Sequence, residues 1–305
     1  MNIKNHTVKA TRGAKVKVEK PLTKKTAGFR IFFTAVFILL LFHCISLIYP
    51  FVWLFLNSLK TSYEFVSTNS LLLPKQWLFK NYVDVFSVFN VKGIGFLTMT
   101  WNSVWWSVSN TVVGVFMGAV VSYTVARYEF KARNFIWGLI MFTMIIPVYG
   151  AEASAYKQLH TLGLYDNPLI IIKSAGGYGG FQFMMLHAFF KSLPKDYMEA
   201  GEIDGAGQFY IFLRIMLPMA IGPMLALSVT AFVGNWNSYM VGIVQLPSYP
   251  GLSTGLYLYE QAMKMGMNYP MYYCGALLTA IPVVVIFCCF QDVFLSNMSV
   301  GGIKG

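Results

Sequence analysis

The sequence predicts an all-α integral membrane protein with six transmembrane helices, and three observations carry that prediction. Hydrophobic residues make up 56% of the 305-residue chain and charged residues only 11%, about half the charged share of an average soluble domain. The mean hydropathy is +0.57. Uncharged residues come in six long runs, and the Lys and Arg between them are distributed unevenly. A globule of this size with so few charges could not cover its surface with polar groups, which argues against a soluble enzyme, a disordered regulator and a disulfide-rich secreted domain.

The N-terminal tail comes first. Residues 1–30 hold nine Lys and Arg against the single acid Glu19, and so supply +8 of the formal net charge of +11. The tail abuts an apolar run, so retention on the cytoplasmic side by the positive-inside effect outweighs nucleic-acid binding as a reading. The apolar core that follows, Ile31–Leu56, is too long for the 7–15-residue core of a cleavable signal peptide and predicts a retained span.

The six runs are 31–59, 93–126, 134–151, 174–190, 215–259 and 265–291. Crossing ~30 Å of hydrocarbon takes about 20 largely apolar helical residues. Five runs come close to that or exceed it, and the fourth gains Leu169–Ile172 just before Lys173. The fifth is long enough for two crossings, but Pro247, Pro250 and Gly251 interrupt it. One span at 218–245 followed by a wet loop is predicted there. The organisation is then a basic tail (1–30), a six-helix domain (31–296) and a short tail (297–305). With the N-terminus inside, the inner segments carry sixteen Lys and Arg against seven outside, which places both ends in the cytoplasm.

The connection Lys191–Pro218 differs in kind. It holds three bases and the four acids Asp196, Glu199, Glu202 and Asp204. Pro194 suits the first turn of a helix, and acids early in that helix suit its macrodipole. Gly205 and Gly207 permit a sharp turn, after which Gln208–Leu217 reads as a second short helix ended by Pro218. So structured a polar hairpin in so apolar a chain predicts a docking surface for a soluble partner, against the plainer reading of a solvated loop.

Within this hairpin Glu199-Ala200-Gly201, then Gly205, then Ile215-x-Leu217-Pro218 resemble the EAA signature, E-A-A-x3-G-x9-I-x-L-P, of binding-protein-dependent ABC importer permeases. Every spacing fits, and the one departure is Gly201 in place of the third alanine. Further likeness to the carbohydrate branch, the maltose-type inner-membrane permeases, lies in Asn81-Tyr82, Asn102-Ser103, Tyr123, Arg127, Phe130, Pro147, Leu162-Gly163-Leu164, Ile203-Asp204-Gly205, Trp236-Asn237 and the ending Gly301-Gly302-Ile303-Lys304-Gly305. The resemblance covers roughly residues 30–305.

That resemblance implies a type I ABC importer fold with a cytoplasmic EAA coupling helix, in a bacterial inner membrane. It implies a second homologous permease subunit, two ATPase subunits and an extracellular or periplasmic solute-binding protein as partners, and a sugar as cargo. Glu199, with Ala200, Gly201, Asp204, Gly205, Gly207 and Pro218 shaping its hairpin, would couple to an ATPase subunit, and the tail with Gly301, Gly302 and Lys304 would reach toward the ATPase pair. No cofactor is expected on this chain itself. It has no Gly-x4-Gly-Lys-Ser/Thr loop, so ATP and Mg would sit on the partner ATPases. ATP-driven closure of those subunits would push on the fourth and fifth spans and turn the path outward.

For the cargo path, helical rise places Tyr149 and Glu152 in the middle and outer part of the third span, and Trp236, Asn237 and Tyr239 at similar depth or higher in the fifth. Aromatic faces with amide and carboxylate groups suit sugars; an interfacial aromatic belt with helix–helix hydrogen bonds is the competing reading.

Other motifs are weaker. Gly251-Leu252-Ser253-Thr254-Gly255 matches a nucleophile elbow, but prolines precede it and no histidine follows it. Gly176–Gly180 lacks phosphate-loop spacing and fits close helix packing or a broken helix. His43 and His187 fit interhelical hydrogen bonding. Cys44, Cys274, Cys288 and Cys289 form no C-x-x-C pair, so neither a zinc site nor a disulfide framework is expected. A self-sufficient secondary transporter would leave the acidic hairpin without a purpose, and a membrane enzyme would need an acid cluster elsewhere.

Overall fold

The computed structural model describes residues 27–146, 150–176, 180–263 and 268–298. Residues 1–26 of the basic tail, Pro147, Tyr149, Gly177–Gly179 and the tail with Gly301, Gly302 and Lys304 lie outside the described residues. The described backbone is mostly helical. Its first element is α1 (Ala27–Ser58), followed by α2 (Ser62–Ser67), α3 (Asn81–Val88) and a two-stranded hairpin of β1 (Asn90–Val91) and β2 (Ile94–Gly95). Then come α4 (Phe96–Arg127), α5 (Arg133–Ile145), α6 (Ala151–Thr161), a 3-10 segment Pro168–Gly176 and α7 (Gly180–Ser192). A hairpin of α8 (Asp196–Ile203) and α9 (Gln208–Ile211) continues through a π turn, Phe212–Met216, into α10 (Leu217–Met219) and α11 (Ile221–Trp236). A second π turn, Val241–Gln245, leads to α12 (Leu252–Met263) and α13 (Tyr269–Met298).

The chain falls into two units, up to Val52 and from Trp53 onward. In the first, residues 27–52 form an unbroken apolar helix in which the Ser46 hydroxyl donates to His43 O at 2.7 Å. Among the described residues three helices are long and apolar enough to cross a membrane: Ala27–Ser58, Phe96–Arg127 and Tyr269–Asp292. They coincide with the first, second and sixth predicted runs. The other runs are built from shorter pieces. α5 has 13 residues, about 20 Å at 1.5 Å per residue, and the fifth run contains a helix pair bent by 73°.

The second unit is organised around α4, which packs most extensively on α7 and α11. Asn110, Gly114, Gly118 and Ser122 follow one another every four residues and so share one face of α4. A Cβ on Gly118 would lie 2.5 Å from Gln182 Nε2, and that amide donates to Gly114 O at 3.1 Å. Ser122 Oγ donates to Phe183 O at 3.2 Å, and Ser174 Oγ bonds Asn110 Oδ1. Small residues thus let the α7 backbone approach closely, and polar side chains lock it there.

Two apolar cores lie toward opposite ends of α4. One gathers Ala119, Tyr123, Leu186, Phe190, Ile211, Phe212 and Met216. The other gathers Val85, Phe89, Phe96, Met99, Phe232, Trp236 and Met271.

Two local expectations need correction. Pro218 does not end the second hairpin helix. The π turn before it, in which Leu217 N–H reaches back to Phe212 O, widens the coil, and helix continues to Met219 before the chain bends at Ala220. A widened turn gives the proline ring room beside the carbonyl four residues earlier, where it would otherwise clash. The predicted wet loop after 245 also holds a 12-residue helix, α12. It is seated by tertiary contacts: Ser103 Oγ accepts from Leu252 N–H at 2.8 Å, and Asn102 Nδ2 donates to Pro250 O at 3.1 Å. A Cβ on Gly251 would meet Ser103 Oγ at 2.6 Å and one on Gly255 would meet Met99 Sδ at 2.6 Å. The Gly-x-Ser-x-Gly motif is therefore a packing notch. Its Ser253 Oγ donates to Trp236 O at 2.5 Å.

Candidate coupling site

The acidic hairpin follows local sequence rules in part: α8 opens at Asp196, so Pro194 lies just before the helix and not in its first turn. Asp196 and Glu199 occupy the first turn of α8, where partial positive charge from unpaired N–H groups favours them. The helix stops in a Schellman arrangement: Ala206 N–H donates to Gly201 O at 2.9 Å and Gly205 N–H to Glu202 O at 3.0 Å. That geometry needs a left-handed residue, and Gly205 supplies it with φ +78°. Gly207 has φ −71° and ψ 154°, ordinary extended backbone, so only the first of the two predicted turn glycines is conformationally required.

Gly201 turns its bare Cα into the hairpin. A Cβ there would lie 2.9 Å from Ile211 Cγ1 and 3.3 Å from Ile215 Cδ1. The departure from the alanine pattern is thus matched by close packing of α8 on the following helical turns. Ile211 is completely buried.

The hairpin's outer surface carries both chemistries a protein partner would use. Glu199, Glu202 and Asp204 are exposed. Around them Ile203, Phe209 and Tyr210 are also exposed, Ile203 by 86%. A cleft of 430 Å³ runs beside α8, where Glu199 and Glu202 face Arg127, Arg133, Lys191 and Lys195.

Side chains at the end of α4 tie the hairpin down, and the sequence motif alone does not point to all of them. Arg127 Nη2 donates to Leu193 O at 2.5 Å. Tyr128 OH donates to Gln208 Oε1 at 2.7 Å, and Gln208 Nε2 donates to Glu202 Oε1 at 2.6 Å. Tyr123 OH lies 3.5 Å from Tyr128 OH. Arg133 folds back on the helix end, Nε donating to Val125 O at 2.9 Å. A polar chain thus runs from α4 through Gln208 to the acids of α8. Tyr123 and Arg127 were singled out from the sequence; Tyr128, Arg133 and Gln208 were not, and the only available signal was their polarity beside apolar runs.

Of the residues predicted for a cargo path, Glu152, Trp236, Asn237 and Tyr239 are among the described residues. Trp236 is 2% exposed, stacked on Phe232, with Nε1 donating to Thr279 O at 3.0 Å. This places it in the helix core. Asn237 caps α11 and is exposed. Tyr239 stacks on Tyr257 at 4.6 Å. Glu152 stands in the first turn of α6, where its Oε2 accepts from Gln245 Nε2 at 3.2 Å, and Gln245 Oε1 accepts from Lys173 Nζ at 2.9 Å. That carboxylate therefore has polar company, as one near a membrane must. His187 stacks on Phe183. Among the described residues no group of three or more His, Cys, Asp or Glu could hold a metal ion.

Comparison with known proteins identifies the family and the fold. Residues 110–299 match the family model described as binding-protein-dependent transport system inner membrane component. The diacetylchitobiose uptake system permease protein NgcG of Streptomyces coelicolor is 30% identical over 266 residues, covering 86% of this chain and 86% of its own. The arabinooligosaccharides transport system permease protein AraQ of Bacillus subtilis is 29% identical over 275 residues, covering 87% and 94%. Among solved structures, a chain of a bacterial ABC transporter involved in import of the acidic polysaccharide alginate superposes with a TM-score of 0.75 at 20% identity, over 90% of this chain and 100% of that one. The fold is shared with that importer.

Proposed function

The chain belongs to the family of binding-protein-dependent transport system inner membrane components, and from that premise we propose that it is the permease subunit of an ATP-driven importer whose cargo is an oligosaccharide. It is a membrane transport component, not an enzyme. The sugar assignment is supported by the relatives, whose names specify diacetylchitobiose and arabinooligosaccharide uptake. The chain would cross the membrane six times with both termini in the cytoplasm. It would pair with a second permease, receive cargo from a solute-binding protein, and form half of the path.

One observation carries the coupling role: an acidic, solvent-facing hairpin is hydrogen-bonded through Gln208 and Tyr128 to the end of the longest packed helix. A separate ATPase that grips Glu199 and the exposed Ile203 and Phe209 would move α8 as a unit. The polar chain passes that displacement to α4, and α9–α10 pass it to α11 across the Ala220 bend. ATP must act through such a partner, since a switch responds only to a ligand that distinguishes its two states. Glu152, Asn237 and Tyr239, with Tyr149, remain the residues proposed for the path, and Trp236 would support it from behind.

Pull-down of the affinity-tagged permease complex in detergent tests the docking role. The wild-type chain should retain the ATPase and Glu199→Lys should release it, while the two permeases stay together. Retention unaffected by the charge reversal would refute the role of Glu199. Binding measurements on the cognate solute-binding protein would then identify the cargo.

A further inference from the structure

We infer that the folded loop between α1 and α3, residues 61–80, is a membrane foot that seats its apolar side in the lipid headgroup–acyl boundary where α1 ends. Its depth follows from what holds it. Leu78 N–H donates to Leu59 O at 2.9 Å, one residue past the end of α1. Asn81 Nδ2 donates to Ser58 O at 2.8 Å and Lys60 O at 3.0 Å. From α2, Phe65 packs on Trp53 in the last turns of α1 and on Tyr269 and Tyr273 in the first turns of α13. The loop is therefore fixed at the ends of two spans, the level at which a bilayer changes from hydrocarbon to headgroup.

Its chemistry fits that level. α2 is two-sided: Phe65 packs inward and Glu64 is buried, accepting from Lys75 N–H at 2.7 Å, while Tyr63 and Val66 are 82% and 72% exposed. In the rest of the loop Leu71, Leu72, Leu73 and Trp77 are exposed as well. The only charged side chains exposed between 61 and 80 are Lys75 and Lys80. Apolar and Trp side chains with lysines and no exposed acid complement acyl chains beneath anionic phosphates. The internal hydrogen bonds make this a preformed foot.

Spin labels test the inference in the assembled permease complex reconstituted in liposomes. The background carries Cys44→Ser, Cys288→Ser and Cys289→Ser, leaving the buried Cys274. Labels are placed at Leu72→Cys, at Val66→Cys and, as an aqueous reference, at Lys92→Cys in the β-hairpin turn. Relaxation at Leu72 and Val66 should shift toward collision with oxygen, which concentrates in lipid, and away from the water-soluble nickel chelate that dominates at Lys92. Nickel-dominated relaxation at both sites would overturn the inference in favour of a solvated loop. Protection from both reagents would overturn it in favour of a protein partner. All three labelled sites are exposed, so labelling removes no packed side chain.

Discussion

Gly201→Ala sets two opposed effects against each other, and the geometry decides the sign. In an open helix, Ala in place of Gly is favourable by about 1 kcal/mol. Here the new methyl would stand 2.9 Å from Ile211 Cγ1, 3.2 Å from Ile211 Cδ1 and 3.3 Å from Ile215 Cδ1. The first contact is with an atom near the base of a fully buried side chain, which cannot swing clear. Overpacking of this kind costs about 1–3 kcal/mol, so the net destabilisation is about 1 kcal/mol and amides of α8 should exchange roughly fivefold faster. Hydrogen–deuterium exchange on the purified permease, read at peptides covering 196–206, measures this. The same substitution in an Ile211→Ala background should slow exchange, because the steric contact is gone and only the helix preference remains; a double-mutant cycle isolates that coupling. Slower exchange with Ile211 intact would refute the reasoning, since it would mean the hairpin yields to the methyl without strain.

Other outcomes follow from the same structure. Gly205→Ala forces a side chain into the left-handed region at about 1–2 kcal/mol; it should loosen the hairpin in the same exchange experiment, with Gly205→Asn milder. Gly118→Val should lower the thermal midpoint of the detergent-solubilised chain by overpacking Gln182 against α4, and Gln182→Ala in the double variant should restore part of the loss. Lys60 is fully buried beyond the end of α1, where its Nζ donates to Ser70 O at 3.4 Å. Burial lowers its pKa, opposed by Glu64. The folded form thus holds that proton less firmly than the unfolded chain, and the contribution to stability rises with pH between the lowered value and the ordinary lysine value. Thermal midpoints measured across the alkaline range should show this rise in the wild type and its loss in Lys60→Met.

The membrane character, the three long spans and the helical hairpin were legible because each is written in short-range pattern: uncharged runs, acids opening a helix, a glycine where the turn needs φ above zero. What was not legible depends on distant partners. α12 follows two prolines and a glycine and reads as a loop, yet Ser103, nearly 150 positions upstream, accepts from Leu252 N–H at its first turn. Pro218 reads as a stop, and only the π turn before it makes continuation possible. Trp236 beside Asn237 suggested a sugar contact, but burial and the bond to Thr279 O assign the indole to packing. The small-residue stripe Gly114, Gly118 and Ser122 was in plain view as a four-residue repeat. Its meaning needed the facing helix.

Continuity of backbone sets where this molecule can bend. α4 runs unbroken for 32 residues and touches α3, α5, α7, α11 and α12, so it behaves as an axle. The elements around it are interrupted, at Ala220 and again between Gln245 and Leu252. Flexing a complete helix breaks hydrogen bonds that interrupted ones have already given up, so joints such as these two bend at lower cost than α4 does. Stiffening the Ala220 joint should leave the thermal midpoint of the chain unchanged or higher and still slow transport measured in reconstituted liposomes.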